Sequence, residues 1–179
     1  MPFRLESPRC NVRPWEEADR PAFTRMVRDP EMVRYLGSGE PWEEARIDAF
    51  MQRQQDTLAK HGCCLAAVVL RETDEVMGLA GIQPLGDTGV FEIGWWIWKE
   101  HWNRGYATEV ARALVHYAFE RMRLPRVAAI ANVPNTASRR VMEKVGLRYV
   151  DTRNARELAP RYPDIKVVYY LLENPAISV

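Results

Sequence analysis

The chain has 179 residues, 47% hydrophobic and 10% aromatic, which is enough apolar material for one sizeable core and too much for a disordered polymer. Its 25 Lys and Arg nearly balance 24 Asp and Glu, and a net charge of +1 gives no overall pull toward nucleic acid or anionic lipid. No apolar run approaches the roughly 20 residues of a spanning helix, and Met1 to Glu6 lack the apolar stretch of a signal peptide. Three cysteines, Cys10, Cys63 and Cys64, cannot make a fully paired disulfide framework. The expectation is a cytoplasmic protein, one domain over residues 1–179, without a membrane or nucleic-acid partner.

Arg4 to Arg13 reads as an opening strand, and Trp15 to Arg28 as a helix with Trp15, Ala18, Ala22, Met26 and Val27 on a loosely apolar face. Asp29-Pro30-Glu31 has the form of a cap followed by Pro at the first helical position, opening a short helix that Gly37 stops. Pro41 opens a longer helix through about Lys60, with Glu43 and Glu44 in its positive first turn. Cys63 to Leu70 and Val76 to Leu85 flank a polar Glu72-Thr73-Asp74-Glu75 turn as a hairpin. Gly86-Asp87-Thr88-Gly89 then leads to a third meander strand, Val90 to Trp98.

The strongest periodicity follows. Ala107, Val110, Ala111, Leu114, Val115, Ala118, Phe119 and Met122 form one continuous helical stripe. Val127 to Ala131 reads as a buried strand, so strand, helix and strand make a βαβ unit whose two strands run parallel. Asn135 to about Val145 is a second helix with Gly146 at its C-cap, and Leu147 to Thr152 and Ile165 to Leu172 supply a closing strand pair.

Asn103-Arg104-Gly105-Tyr106-Ala107-Thr108 stands where the third meander strand meets the long helix. A helix start aims unpaired N–H groups outward and attracts anions, Gly105 lets a ligand approach the main chain, and Arg104 suits phosphate oxygens. The alternative is a turn glycine beside a solvated arginine. Between residues 101 and 160, eleven Arg or Lys face five acids, a net of +6 within a chain of net +1. A polyanionic ligand on this half fits that asymmetry, as would solvated helix faces.

Trp102-Asn103-Arg104-Gly105-Tyr106-Ala107-Thr108-Glu109 resembles the acyl-CoA pyrophosphate loop of GNAT-fold N-acetyltransferases, and Asn135 to Leu147 is similar to that family's second CoA motif. Arg13-Pro14-Trp15, Asp29-Pro30-Glu31, Tyr35-Leu36-Gly37 and Glu92-Ile93-Gly94 extend the resemblance to its Rim-type branch. The resemblance implies an α/β (α+β) GNAT fold, a mostly antiparallel sheet splayed at a central parallel strand pair and flanked by helices. It implies acetyl-CoA lying between the strand ending near Trp98 and the strand ending near Asn132. Backbone groups of Ile97 and Trp98 would meet the pantetheine arm, and N–H groups from Asn103 to Thr108 the pyrophosphate. An amine acceptor, either a protein N-terminus or a small molecule, would attack the thioester directly. Asn135 would hydrogen-bond the cofactor, with Asn132 a weaker candidate, and Ser138 would lie near its sulfur. Many family members carry Tyr where this chain has Met142, so Ser138 or water would have to protonate the thiolate.

Glu92, in an otherwise apolar strand and on the face of Gly94, Trp96 and Trp98, is the candidate base, with a raised pKa expected beside aromatic bulk. A paired structural carboxylate or an exposed strand residue is its alternative. An ordinary N-cap is the alternative for Asn135, and a hydroxyl bonded back to the helix start for Ser138. No CxxC or clustered His supports a metal site, and the three dispersed histidines give no Ser-His-Asp arrangement. A non-catalytic CoA-binding sensor and, more distantly, a nucleic-acid module remain rival readings. The acceptor and the oligomeric state, a homodimer included, stay open.

Overall fold

The computed structural model describes residues 3–177. A short hairpin of β1 (Leu5–Glu6) and β2 (Cys10–Arg13) comes first. The expected single opening strand is therefore folded in two. The Ser7 amide donates to the Cys10 carbonyl at 2.8 Å and the Ser7 hydroxyl accepts from the Cys10 amide at 3.1 Å, closing a turn across Pro8 and Arg9. The first helix also starts late: a 3-10 turn over Glu17–Asp19 precedes α1 (Arg20–Arg28). Asp19 explains the delay, because its carboxylate accepts from the Glu16 amide at 2.8 Å and is clamped by both terminal nitrogens of Arg13 at 2.6 and 3.0 Å.

Asp29 caps α2 (Pro30–Val33) by accepting from the Glu31 and Met32 amides, as the sequence indicates. The long helix α3 (Glu44–His61) begins three residues after Pro41 and ends at Gly62 in the left-handed conformation. The meander of β3 (Leu65–Leu70), β4 (Val76–Pro84) and β5 (Phe91–Ile97) follows as expected. Next come α4 (Tyr106–His116), β6 (Arg126–Asn132) and α5 (Thr136–Lys144). After α4 the helix loosens into a π-type turn over Tyr117–Arg121, where the Met122 amide reaches the Tyr117 carbonyl at 3.1 Å. The continuous stripe thus crosses a change of pitch that periodicity alone does not show. The chain closes with β7 (Arg148–Asn154), a four-residue helix α6 (Ala155–Leu158) capped by Asn154 that the sequence reading lacks, and β8 (Lys166–Glu173).

The eight strands form one sheet in the order β1-β2-β3-β4-β5-β6-β8-β7, antiparallel everywhere except between β5 and β6. That parallel pair touches only at Phe91↔Val127 and Glu92↔Ala128. Beyond it, β5 continues against β4 as far as Ile97, and β6 continues against β8 as far as Asn132. Each strand keeps its outer neighbour and loses its inner one, so the sheet opens into a V between them. One face packs on α4 and α5 through Val110, Leu114, Val127, Ala129 and Met142. The opposite face packs on α1 to α3, where Phe23 stacks on Phe50 with centroids 4.9 Å apart. A smaller cluster of Leu85, Ala128, Leu158, Val167 and Tyr169 ties α6 to the sheet beside that second face.

Candidate active site

The V needs something at its mouth, and α4 supplies it. Gly105 is the residue before the helix and sits at φ +81°, a conformation that side-chain-bearing residues adopt only under strain. The first intrahelical bond runs from the Glu109 amide to the Gly105 carbonyl at 3.0 Å. The amides of Tyr106, Ala107 and Thr108 precede it, so they lack an i−4 carbonyl and point out of the helix end with the positive end of its dipole. No side chain caps this end. A Cβ at Gly105 would meet only a guanidinium nitrogen of Arg9, at 3.6 Å, so the approach is open. Asn103, at φ +59°, and Arg104 complete the loop.

Arg9 is a residue the sequence reading missed. Its Nε donates to Glu109 Oε2 at 2.7 Å, its Nη1 to the Arg104 carbonyl at 3.1 Å, and its guanidinium lies 4.0 Å from the Tyr106 ring centre. Glu109 also accepts from the Ser7 hydroxyl at 2.7 Å and the Arg9 amide at 2.8 Å. Burial raises the Glu109 pKa, but these hydrogen bonds and the Arg9 charge outweigh it and hold the carboxyl below its ordinary value. The β1–β2 turn thereby braces the first turn of α4. Nothing local in the sequence links residues a hundred positions apart.

Along the wall of the V, the Trp98 amide donates to the Met77 carbonyl at 2.7 Å and the Trp98 carbonyl accepts from the His101 amide at 2.9 Å. Trp98 is therefore turned toward β4 and its own helical turn, which corrects the expectation that its backbone faces the gap. Strand alternation then directs the main-chain groups of Ile93, Trp95 and Ile97 to the gap. The Ile97 carbonyl already accepts from the Trp102 indole at 2.6 Å, so Trp102 fastens the end of the strand to the loop.

On the opposite wall, the Asn132 carbonyl accepts from the Asn135 amide at 2.8 Å, turning the chain from β6 into α5. Asn135 Oδ1 accepts from the Ser138 amide at 3.1 Å. The capping role holds for its oxygen, and its Nδ2 stays available as a donor. Ser138 is half-buried, and Met142, one turn on, is fully buried in the core.

Glu92 sits at the last paired position of β5, where the V opens, and is 6% exposed. Gln83 Nε2 and the Tyr162 hydroxyl both donate to its Oε1 at 2.5 Å. Burial raises its pKa, with the two hydrogen bonds and the Arg161 charge opposing. Tyr162 is itself pushed far up by burial and then by the Glu92 charge, so its hydroxyl remains a donor at any ordinary pH. Gln83 is the cross-strand partner of Glu92 and follows from counting back across the Gly86–Gly89 turn. Tyr162, 70 residues away, gave no such signal. Gln83 lines a cavity of about 460 Å³ on this face, between α3 and the segment around Arg161. Cys63 and Cys64 are buried and their thiols pushed up to about 12 by that burial, which makes them packing residues.

Known proteins share this fold. A family model described as an acetyltransferase (GNAT) domain matches residues 9–148. YnaD of Bacillus subtilis (strain 168), an uncharacterized N-acetyltransferase, is 30% identical over 146 residues, spanning 82% of this chain and 83% of its own. A GNAT-family acetyltransferase structure from Bacillus anthracis superposes with a TM-score of 0.79 at 25% identity, over 96% of this chain and 99% of that one. The chain belongs to the GNAT acetyltransferase family and is an acetyl-CoA-dependent N-acetyltransferase. The fold is also shared with RimJ of Mycobacterium smegmatis, solved in complex with CoA-disulfide. That match has a TM-score of 0.76 at 20% identity, over 98% of this chain and 88% of the other.

Proposed function

We propose that this enzyme holds acetyl-CoA in the V and transfers the acetyl group directly to a primary amine in a ternary complex. The observation carrying the proposal is the coincidence of two independent features. The sheet parts after Glu92, and the uncapped mouth of α4 stands at the end of the strand that borders the opening. In this reading the amides from Asn103 to Thr108, with Arg104, bind the diphosphate. Ile97, joined by Trp95 in place of Trp98, offers main-chain groups to the pantetheine arm. Asn135 Nδ2 and, less directly, Asn132 hold the far side.

Acetyl-CoA supplies an activated acyl group. The acceptor nitrogen bonds to the thioester carbon, the C–S bond breaks, and one proton leaves nitrogen while one is gained by sulfur. Glu92 receives the first, directly or through one water. Both of its donors converge on Oε1, which leaves Oε2 to take the proton, and its raised pKa brings it nearer to working pH. In this reading Ser138, half-buried in the first turn of α5, gives the second. Met142 cannot do so, being both buried and without a proton to donate.

Thiol release from acetyl-CoA, measured against a panel of primary amines, tests the proposal. Release that depends on an acceptor and saturates with it is the expected result. Tight CoA binding with no release for any amine would instead mark a sensor that has kept the cradle and lost the reaction.

A further inference from the structure

The cavity lined by Gln83, which donates to Glu92, carries charge that the protein itself does not neutralise. Arg46, Arg53 and Lys60 recur every seven residues along α3 and so share a face, and Arg53 and Lys60 line the cavity. Arg161 lines it from the opposite side and donates to the Tyr162 hydroxyl at 3.2 Å, the same hydroxyl that donates to Glu92. Several arginines outside the cavity are paired: Arg9 with Glu109, Arg13 with Asp19, Arg28 with Glu44, and Arg20 with Glu44 and Asp48. The acids on the outer side of α3 are thus consumed by α1, while among the described residues Arg53 and Arg161 have no carboxylate within ion-pair distance. Two acids do line the cavity. Asp56 is held by Gln52 Nε2 at 3.0 Å, and Asp87 lies in the β4–β5 turn. Three cations therefore face two acids.

Resting on the acetyltransfer reading, we propose that the acceptor is a small amine that also carries an anionic group, carboxylate or phosphate, gripped between Arg53 and Arg161 while its amine reaches Glu92. The size suits it, since about 460 Å³ lies in the range of small-ligand sites. So does the chemistry, because guanidinium forks bind carboxylate and phosphate with paired, charge-assisted hydrogen bonds. Burial, then the Arg161 charge, lower the Arg53 pKa, and an anion between the two guanidinium groups would offset both effects. The Arg161–Tyr162–Glu92 chain links the grip on the anion to the oxygen that holds the base in place.

The test compares matched acceptors. The kcat/KM for thiol release is measured with an ω-amino acid and its primary amide, with an aminoalkyl phosphate and the corresponding amino alcohol, and with a polyamine. An anionic acceptor should exceed its neutral partner by about tenfold or more, with the polyamine poorest. The carboxylate and phosphate arms tell which anion fits. In R53Q and R161Q that ratio should fall toward one, through KM. Neutral or polycationic amines acetylated as well as the acids, or a ratio unmoved by either substitution, would overturn this proposal and leave acetyltransfer standing. No release with any member of the panel would overturn this proposal, and a peptide N-terminus assayed beside it would then decide whether acetyltransfer falls as well.

Discussion

Glu92→Gln is the substitution with the most to reveal, because the structure fixes both its cost and its benefit. Gln is isosteric, and its carbonyl oxygen can still accept from Gln83 and Tyr162, so the fold should survive. What disappears is the proton acceptor, which for a positioned base is worth on the order of 10² to 10⁴ in rate. Stability should move the other way. Because burial raises the Glu92 pKa above its ordinary 4.5, the folded state holds this proton more tightly than the unfolded chain does. The parent is therefore most favoured below 4.5 and loses stability as pH rises from there through the folded value, by about 1.4 kcal/mol for each unit separating the two. Gln carries no such penalty. Urea unfolding should show the stability of the variant relative to the parent rising between pH 4.5 and pH 8. In thiol-release assays run upward from pH 4.5, the parent-to-variant ratio should grow as pH rises through the folded value and Glu92 ionises, a comparison from which titration of the amine cancels. A variant with the parent's turnover and pH profile would remove Glu92 from the chemistry. A stability difference that does not change with pH would refute the burial argument.

Gly105→Glu should abolish CoA binding by isothermal calorimetry, because it forces a side chain into φ +81° and adds an anion at the helix mouth. Unchanged affinity would exclude the cradle. Ser138→Ala should lower kcat by roughly tenfold or more while leaving the KM for acetyl-CoA within about twofold, as expected for an interaction made only in the transition state. Arg9→Gln should raise the KM for acetyl-CoA several-fold while Glu92-dependent pH behaviour persists, since Arg9 touches the loop and not the base. The Arg9–Glu109 brace should also weaken in acid: with the Glu109 pKa lowered in the folded state, its contribution is present above 4.5 and lost as pH falls through the folded value. Finally, Cys63 and Cys64 should resist a thiol reagent at pH 8 in the native enzyme and react once it is unfolded, given thiols pushed up to about 12.

Much of the frame was legible because it rests on local patterns. The meander follows from period and turn chemistry, the parallel β5–β6 pair from the strand–helix–strand order, and the α5 cap from Asn135 three residues before Ser138. The start of α4 just past Gly105 was legible in the same way, while its reading as a phosphate cradle rested on the family resemblance. What escaped depends on distance along the chain or on geometry finer than a pattern. Arg9 and Ser7 meet Glu109 only after the sheet has formed, and Tyr162 reaches Glu92 from a loop beyond a helix too short to show periodicity. The orientation of Trp98 was lost for a different reason: strand alternation gives two faces, but which edge each main-chain group serves depends on the register with β4, and hence on the Met77 bond. The split of the opening strand likewise rests on Ser7, whose amide and hydroxyl both bond Cys10 across Pro8 and Arg9.

A crystal structure of the enzyme with coenzyme A bound tests the account most directly. The diphosphate should lie within hydrogen-bond distance of the Tyr106, Ala107 and Thr108 amides, and the pantetheine arm should run between β5 and β6 with its sulfur toward Ser138. A diphosphate bound away from the start of α4, or an arm lying outside the V, would contradict it.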